Sequence, residues 1–404
     1  MNKEQHSDRP VIKLSQQILV ATLCKLLLNT GRRFIYPFAP ALSRSLEVPL
    51  TAITSIIAVC QFSSVIGIFS GPLADRFGYR LVMRGGLVLL IAGMLICGAF
   101  SWYWLAMLGL ILASFGKTLF DPALQAYIGH QVEFSRRGRA IGFSETAWAG
   151  STLLGIPLLG LSIEYLGLDS SYYLLAGLAA IGWLVLGRTI PADNHHGPLS
   201  TQPSGLLTTL GSLLSIRPAL GMLIFGFCIS VANDSLFVIY GAWFEQEFNV
   251  NLVTLGFSTV AIGLAELLGE SGTALLADRF GLKRSIFTGL ILVTVAYSLL
   301  PFIGVSLTSA MAGLFLVFLF FEFTIVTSFS LGTELLPENR ATMLAGFYSV
   351  AGIGRMCGVL VGGYLWKNWG ITGVCRSSAL FTVLGLLALY WGLKNWQPTR
   401  KSSE

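Results

Sequence analysis

The sequence predicts an all-α membrane protein, with twelve transmembrane helices forming two six-helix bundles related by pseudo-two-fold symmetry. Three observations carry this. The chain of 404 residues is 54% hydrophobic and 11% charged, with a mean hydropathy of +0.72. A soluble domain carries about 25% charge, so most of this surface must face lipid. The apolar residues gather into twelve runs. A six-residue string, Leu73-Ala74-Asp75-Arg76-Phe77-Gly78, returns as Leu276-Ala277-Asp278-Arg279-Phe280-Gly281, 203 positions later and near half the chain length.

The runs cover 14–38, 50–72, 85–101, 104–128, 141–164, 171–187, 218–242, 254–276, 286–304, 308–332, 343–366 and 377–393. Crossing the hydrocarbon core takes about 20 residues. The polar stretch 188–217, rich in Pro, Gly, Ser and Thr, reads as a flexible cytoplasmic linker. It separates an N-terminal bundle (1–187) from a C-terminal bundle (218–404). The same 203-residue offset aligns Phe34 with Phe237 and Gly129 with Gly332.

Basic residues set the orientation. With the N-terminus in the cytoplasm, Arg76, Arg80, Arg84, Arg136, Arg137, Arg139, Arg188, Arg217, Arg279, Lys283, Arg284 and Arg340 fall in cytoplasmic loops. Only Arg44, Lys367 and Arg376 fall opposite. This positive-inside bias and the even span count put both termini in the cytoplasm. The first dozen residues are polar and show no cleavable signal. Compact loops suggest a plasma membrane, and a bacterial inner membrane in particular.

The net charge of +6 lies in short loops rather than on a basic patch, which argues against a nucleic-acid partner. The six cysteines include no CxxC, and most lie within apolar runs, where they act as small hydrophobes. The four histidines show no metal-ligand spacing. No nucleotide loop, HExxH or GxSxG is present, so no enzyme chemistry or bound cofactor is indicated.

The loop between spans 2 and 3 reads Gly71-Pro72-Leu73-Ala74-Asp75-Arg76-Phe77-Gly78-Tyr79-Arg80. Gly78 permits a turn that a side chain would resist, and Arg76 and Arg80 suit the interface. This stretch resembles the loop 2–3 signature of the major facilitator superfamily, and the resemblance covers essentially the whole chain. It implies two six-helix halves with a solute site between them near the midplane. It also implies that Gly71, Asp75, Arg76, Gly78 and Arg80 brace the halves and bias the switch between inward and outward states. Asp278, Arg279 and Gly281 repeat the loop, but Ala274 replaces the leading glycine. Topology anchoring explains both copies equally well.

Span 5 carries Gly142, Gly150, Gly155, Pro157 and Gly160, a series that loosely resembles the family's antiporter signature and equally suits helix packing. Span 4 departs from the exporter pattern: Leu112 stands where an Arg precedes the glycine, and Lys117 and Asp121 follow. Gly67 and Gly71 in span 2, and Gly354, Gly358 and Gly362 in span 11, form GxxxG rows. The resemblance implies that these two spans face each other across the halves.

Charges within spans mark the site, because each costs several kcal/mol unless it meets a partner or water. They fall in spans 1, 4, 5, 7, 8, 10 and 11, which the family fold places around or beside the central cavity. Candidate cavity residues are Asn29, Arg33, Asp121, Asn233, Asp234, Glu322 and Arg355. Arg33 stands four residues after Asn29 on one helix face and leads for solute contact, with Asp121 as its candidate ion-pair partner. Arg32 points about 100° away and suits a neighbouring helix. Asp234, Glu266 and Glu322 are candidate proton carriers, since a carboxylate taken partly out of water can exchange protons near neutral pH. Lys25 and Glu270 read as structural, and Glu145 as a partner for Arg139 or Arg340. Tyr36, Trp148, Tyr240, Trp243 and Tyr348 either line an amphipathic pocket or pack the core. Each charged residue also reads as a group that only holds helices together.

The resemblance implies a secondary transporter working by alternating access, with a small-molecule substrate, the lipid bilayer as surroundings and a monomer as the working unit. Proton-coupled export of a small amphipathic or organic solute leads, with the proton gradient as energy source. The alternative is symport or facilitated uptake of a sugar or organic anion, which the Arg32–Arg33 pair would suit. A non-transporting receptor is the third reading.

Overall fold

The computed structural model describes residues 13–66, 74, 76–191, 213–336, 340–394 and 396. Gly67, Gly71, Asp75 and most of the linker lie outside the described residues. In chain order the helices are α1 (Leu14–Arg33), α2 (Ala39–Ser45), α3 (Leu50–Ile66), α4 (Tyr79–Ala99), α5 (Tyr103–Gln131), α6 (Phe134–Gly150), α7 (Ile156–Leu166), α8 (Leu168–Thr189), α9 (Arg217–Phe237), α10 (Tyr240–Phe248), α11 (Leu252–Gly272), α12 (Asp278–Phe280), α13 (Leu282–Ile303) and α14 (Leu307–Leu335). The last helical stretch, Arg340–Gly392, breaks at Gly370, where φ is +58°. It gives α15 (340–369) and α16 (371–392). No strand occurs among the described residues.

Nine described helices are long and apolar enough to cross a membrane, or ten when the bent pair α2–α3 is one span. That tally takes Gly346–Gly392 as one span, yet at 1.5 Å per residue a straight helix of that length would far exceed a bilayer of about 30 Å. Helix α9 shows that it doubles back. Gly354, Gly358 and Gly362 climb along α9 past Phe227, Val231 and Ser235, while Ser378, Gly385 and Gly392 descend past Ala232, Phe225 and Gly221. The remaining span, α1, falls short on hydropathy because it carries Lys25, Arg32 and Arg33. With these two the count reaches twelve.

The sequence repeat is also a backbone repeat. Gly78 has φ +85° and ψ 145°, and Gly281 has φ +81° and ψ 139°. Both precede a helix that begins several residues before its apolar run, because a charged first turn sits at the interface. Likewise α1 and α9 both stop short of their apolar runs and yield to the short helices α2 and α10.

Helices meet closely where glycine removes the side chain. A Cβ on Gly155 would stand 2.1 Å from Thr30 Oγ1, and Gly86 and Gly93 of α4 lie against the Gly116 and Gly109 carbonyls of α5. The segment Ser151–Gly155 is a π-helical turn just before Pro157, which has no N–H to donate. The Gly354–Gly358–Gly362 row packs on α9 of its own half. The same helix also meets span 2, as expected, through the neighbouring Gly363 against Thr54. Gly142 meets nothing within 4 Å and is not a packing glycine.

The two ends of the molecule differ. At the end farther from Leu14 and Gly392, Pro37 seats against Gly241, Gly160 against Gly256, and Glu164 Oε2 accepts the Leu252 N–H at 3.1 Å. Arg44 and Glu245 form an ion pair there. At the near end, Tyr348 of α15 is 50% exposed and the Glu145 side chain of α6 is 42% exposed. Close contacts between the halves gather at the far end, while these two near-end side chains are accessible. Gly155→Val should therefore cost about 1–3 kcal/mol of stability, and Gly142→Val should stay within about 0.5 kcal/mol, as read by thermal unfolding in detergent.

Candidate functional site

Helix α1 delivers two adjacent arginines to the centre, and they diverge as helix geometry requires. Arg33 crosses to the C-terminal half. Its Nη2 donates to Glu266 Oε1 at 2.5 Å, and its Nη1 donates to Oε2 at 3.3 Å. Nη1 also donates to the Trp148 carbonyl at 3.2 Å. The Trp148 ring lies 4.0 Å from the guanidinium carbon, and its indole N–H donates to Glu266 Oε1 at 3.2 Å. Thr152 Oγ1 donates to Glu266 Oε2 at 3.1 Å. Both charged side chains are 3% exposed. Each ion thus loses water and gains a bidentate partner, and Glu266 also receives two neutral donors. Thr152 serves twice, since its backbone carbonyl also accepts from Thr259 Oγ1 at 2.7 Å.

This corrects the expected Arg33–Asp121 pair. Asp121 instead accepts from Lys117, one turn back on α5, at 2.5 Å. The nearer carboxylate is already neutralised, and Glu266 offers Arg33 both oxygens across the interface.

Arg32 turns to α3. Its Nη2 donates to Gln61 Oε1 at 2.5 Å, Gln61 Nε2 donates to the Tyr36 hydroxyl, and Tyr36 donates to Asp234 Oδ1 at 3.2 Å. The Tyr36 ring stacks on Phe237 with centroids 4.4 Å apart. A polar chain therefore runs from α1 through α3 to α9 and joins the halves a second time. Gln61, Ser151, Thr152 and Phe237 were not singled out from the sequence. A glutamine in the apolar context Ala58-Val59-Cys60-Gln61-Phe62 was the available signal.

Lys25 bonds Glu145 at 2.8 Å, and Gln125 joins them. Glu145 thus has Lys25 rather than Arg139 as its ion-pair partner, and the Arg340 side chain lies outside the described residues. Tyr240 and Trp243 are core residues, at most 1% exposed; Tyr36 and Trp148 belong to the site.

Several candidates keep unused capacity. Asn29 is wholly buried, and neither amide atom has a partner. Asp121 Oδ1, Asn233 Oδ1 and Arg33 Nε are buried and unpartnered too. Glu322 on α14 and Glu270 on α11 make no hydrogen bond or ion pair among the described residues. Glu322 backs onto α11, its Cβ 2.9 Å from where a Cβ on Gly269 would stand. It lies within Coulombic reach of Glu266 and Glu270. Arg355 on α15 is partly buried and forms no ion pair among the described residues. The described groups can hold a small organic solute by ionic, amide and aromatic contacts. No cluster among the described residues could hold a metal.

The loop residues are placed differently. Arg80 donates to the Gly187 carbonyl of α8 within its own half, and Arg76 lies over the exposed Phe77 ring. The Arg80 bond ties the start of α4 to the end of α8. Arg279 is exposed, and the Asp278 side chain lies outside the described residues.

Removing one member of a buried pair strands its partner at a cost of about 3–5 kcal/mol. Arg33→Gln and Glu266→Gln should each lose stability on that scale, and the double variant should lose less than the two singles summed, in a double-mutant cycle of thermal unfolding.

Comparison with known proteins gives the setting. Residues 21–341 and 222–404 match the model described as Major Facilitator Superfamily. The chain is 23% identical over 307 residues to the uncharacterized MFS-type transporter YceJ of Bacillus subtilis, covering 76% of this chain and 77% of that one. It is 24% identical over 344 residues to the multi-drug resistance efflux pump PmrA homolog of Lactococcus lactis, covering 83% and 82%. Among solved structures, a bacterial homolog of the human lysosomal transporter Spinster superposes with a TM-score of 0.74 at 14% identity, covering 96% of this chain and 97% of that one.

Proposed function

Because this chain belongs to the Major Facilitator Superfamily, we propose that it is a multi-pass secondary transporter that exports a small amphipathic organic solute in exchange for protons, by alternating access. The observation that carries the reading is the charge imbalance on α11 and α14. Glu266, Glu270 and Glu322 lie within Coulombic reach of one another; Arg33 is ion-paired to Glu266, and Arg355, also within reach of Glu322, forms no ion pair among the described residues. Protons or a cationic solute can neutralise the excess, and competition between the two for the same carboxylates is a means of exchange. Glu322 is the leading proton carrier, with Glu270 beside it. Glu266 serves as the partner of Arg33 rather than as a free carrier, and Asp234 ends the Tyr36 relay. Asn29, Asn233 and Asp121 supply polar contacts to the solute.

The efflux pump among the relatives supports export, and the relatives named as transporters favour transport over catalysis. The basic near end would face the cytoplasm, so the present state would be inward-facing, with the halves held by Arg33–Glu266 at the centre and Arg44–Glu245 at the far end. A monomer in a bacterial inner membrane, driven by the proton gradient without a bound cofactor, completes the reading. An anionic substrate is less well served, because Arg33 is neutralised and Arg32 is committed to Gln61.

Proteoliposomes with an acidic lumen and a trapped pH dye test this against a panel of amphipathic amines. Antiport should alkalinise the lumen as solute enters, and symport would acidify it. Glu322→Gln should abolish solute-driven proton movement, whereas Glu145→Gln should retain it. Solute uptake with no pH change in the wild type would refute the coupling.

A further inference from the structure

Away from the central site, the near end of the N-terminal half has a groove between α4, α5 and α8 on the outer face of the bundle. It has a volume of about 460 Å³ and is lined by Leu81, Arg84, Gly85, Val88, Leu119 and Trp183, among others. Leu81 is 59% exposed and Val88 46% exposed, so the groove opens where acyl chains lie. A Cβ on Gly85 would meet nothing within 4 Å, which leaves the floor open.

Arg84 is the odd member. It lies about one and a half helical turns into α4, and its guanidinium carbon stacks 3.8 Å from the Trp183 ring. Its Nε is buried without a hydrogen-bond partner, and it forms no ion pair among the described residues. Gly187 leaves it room: a Cβ there would come within 3.1 Å of the guanidinium. Arg80 stands one turn away on the same face, where a like charge raises the local positive potential. A lone guanidinium at this depth needs a counter-anion. A groove walled by leucine and valine, with tryptophan at its mouth, needs an apolar chain attached to that anion.

We propose that this groove binds one acidic phospholipid, its phosphate on Arg84 and an acyl chain along Leu81, Val88 and Leu119. The site is separate from the solute cavity. A bound lipid would bridge α4 and α8, the two helices that Arg80 already ties together.

The test is native mass spectrometry of the full chain released from detergent, titrated with phosphatidylglycerol or with phosphatidylcholine of matched chains. The wild type should retain phosphatidylglycerol preferentially. Arg84→Gln should weaken that preference roughly fivefold, the worth of one basic residue at an anionic surface. Gly85→Leu keeps the charge and fills the groove, so it should remove the bound lipid while thermal stability is kept. Inorganic phosphate at millimolar concentration should fail to displace the lipid. Equal retention of both lipids by the wild type, unchanged phosphatidylglycerol binding in either variant, or displacement by phosphate would each overturn the proposal.

Discussion

Two ions with almost no access to water, Arg33 and Glu266, meet where the halves of the molecule touch. Burial makes each of them costly alone, so each is stable only while the other half supplies its partner. Trp148 and Thr152 complete the coordination of the carboxylate, Trp148 from the last turn of α6 and Thr152 from the π-helical turn that follows it. The pair therefore holds α1, the α6–α7 break and α11 in one arrangement. Separating the halves at this level would strand both charges.

The surrounding packing is consistent with that constraint. Gly155 lets Thr30 sit tight against the π-turn, which fixes the height of Arg33 relative to Trp148. Gly160 and Gly256 bring α7 and α11 into backbone contact beyond the pair, so the far end closes where the ions need to be dry. The Arg32–Gln61–Tyr36–Asp234 chain adds a second, weaker tie made of neutral links. At the near end Glu145 and Tyr348 remain accessible, and deeper in, Glu270 and Glu322 make no hydrogen bond or ion pair among the described residues.

Much of this was legible in the sequence. Twelve apolar runs and the LADRFG repeat specified the architecture, and the repeat reappears as two glycines with nearly the same backbone angles. The divergence of Arg32 and Arg33 followed from helix geometry alone. The partner of Arg33 was not legible, since Glu266 lies 233 residues away in the chain, and helix phase cannot say which of several intramembrane carboxylates arrives opposite. Asp121 lost that place because Lys117, one turn earlier, already held it. The starts of α4 and α13 were placed too late because hydropathy discards a charged first turn that the interface tolerates. The close packing of the α15 glycine row on α9 was not legible, because GxxxG spacing reports close approach without naming the approaching helix.

The most direct measurement is the distance between the halves at the far end, by double electron–electron resonance between spin labels on Ser45 and Gln246, both exposed. A short, narrow distribution is expected for the wild type, and a population at longer distance should appear in Glu266→Gln. An unchanged distribution in a folded Glu266→Gln protein would contradict the claim that the Arg33–Glu266 pair holds the far end closed.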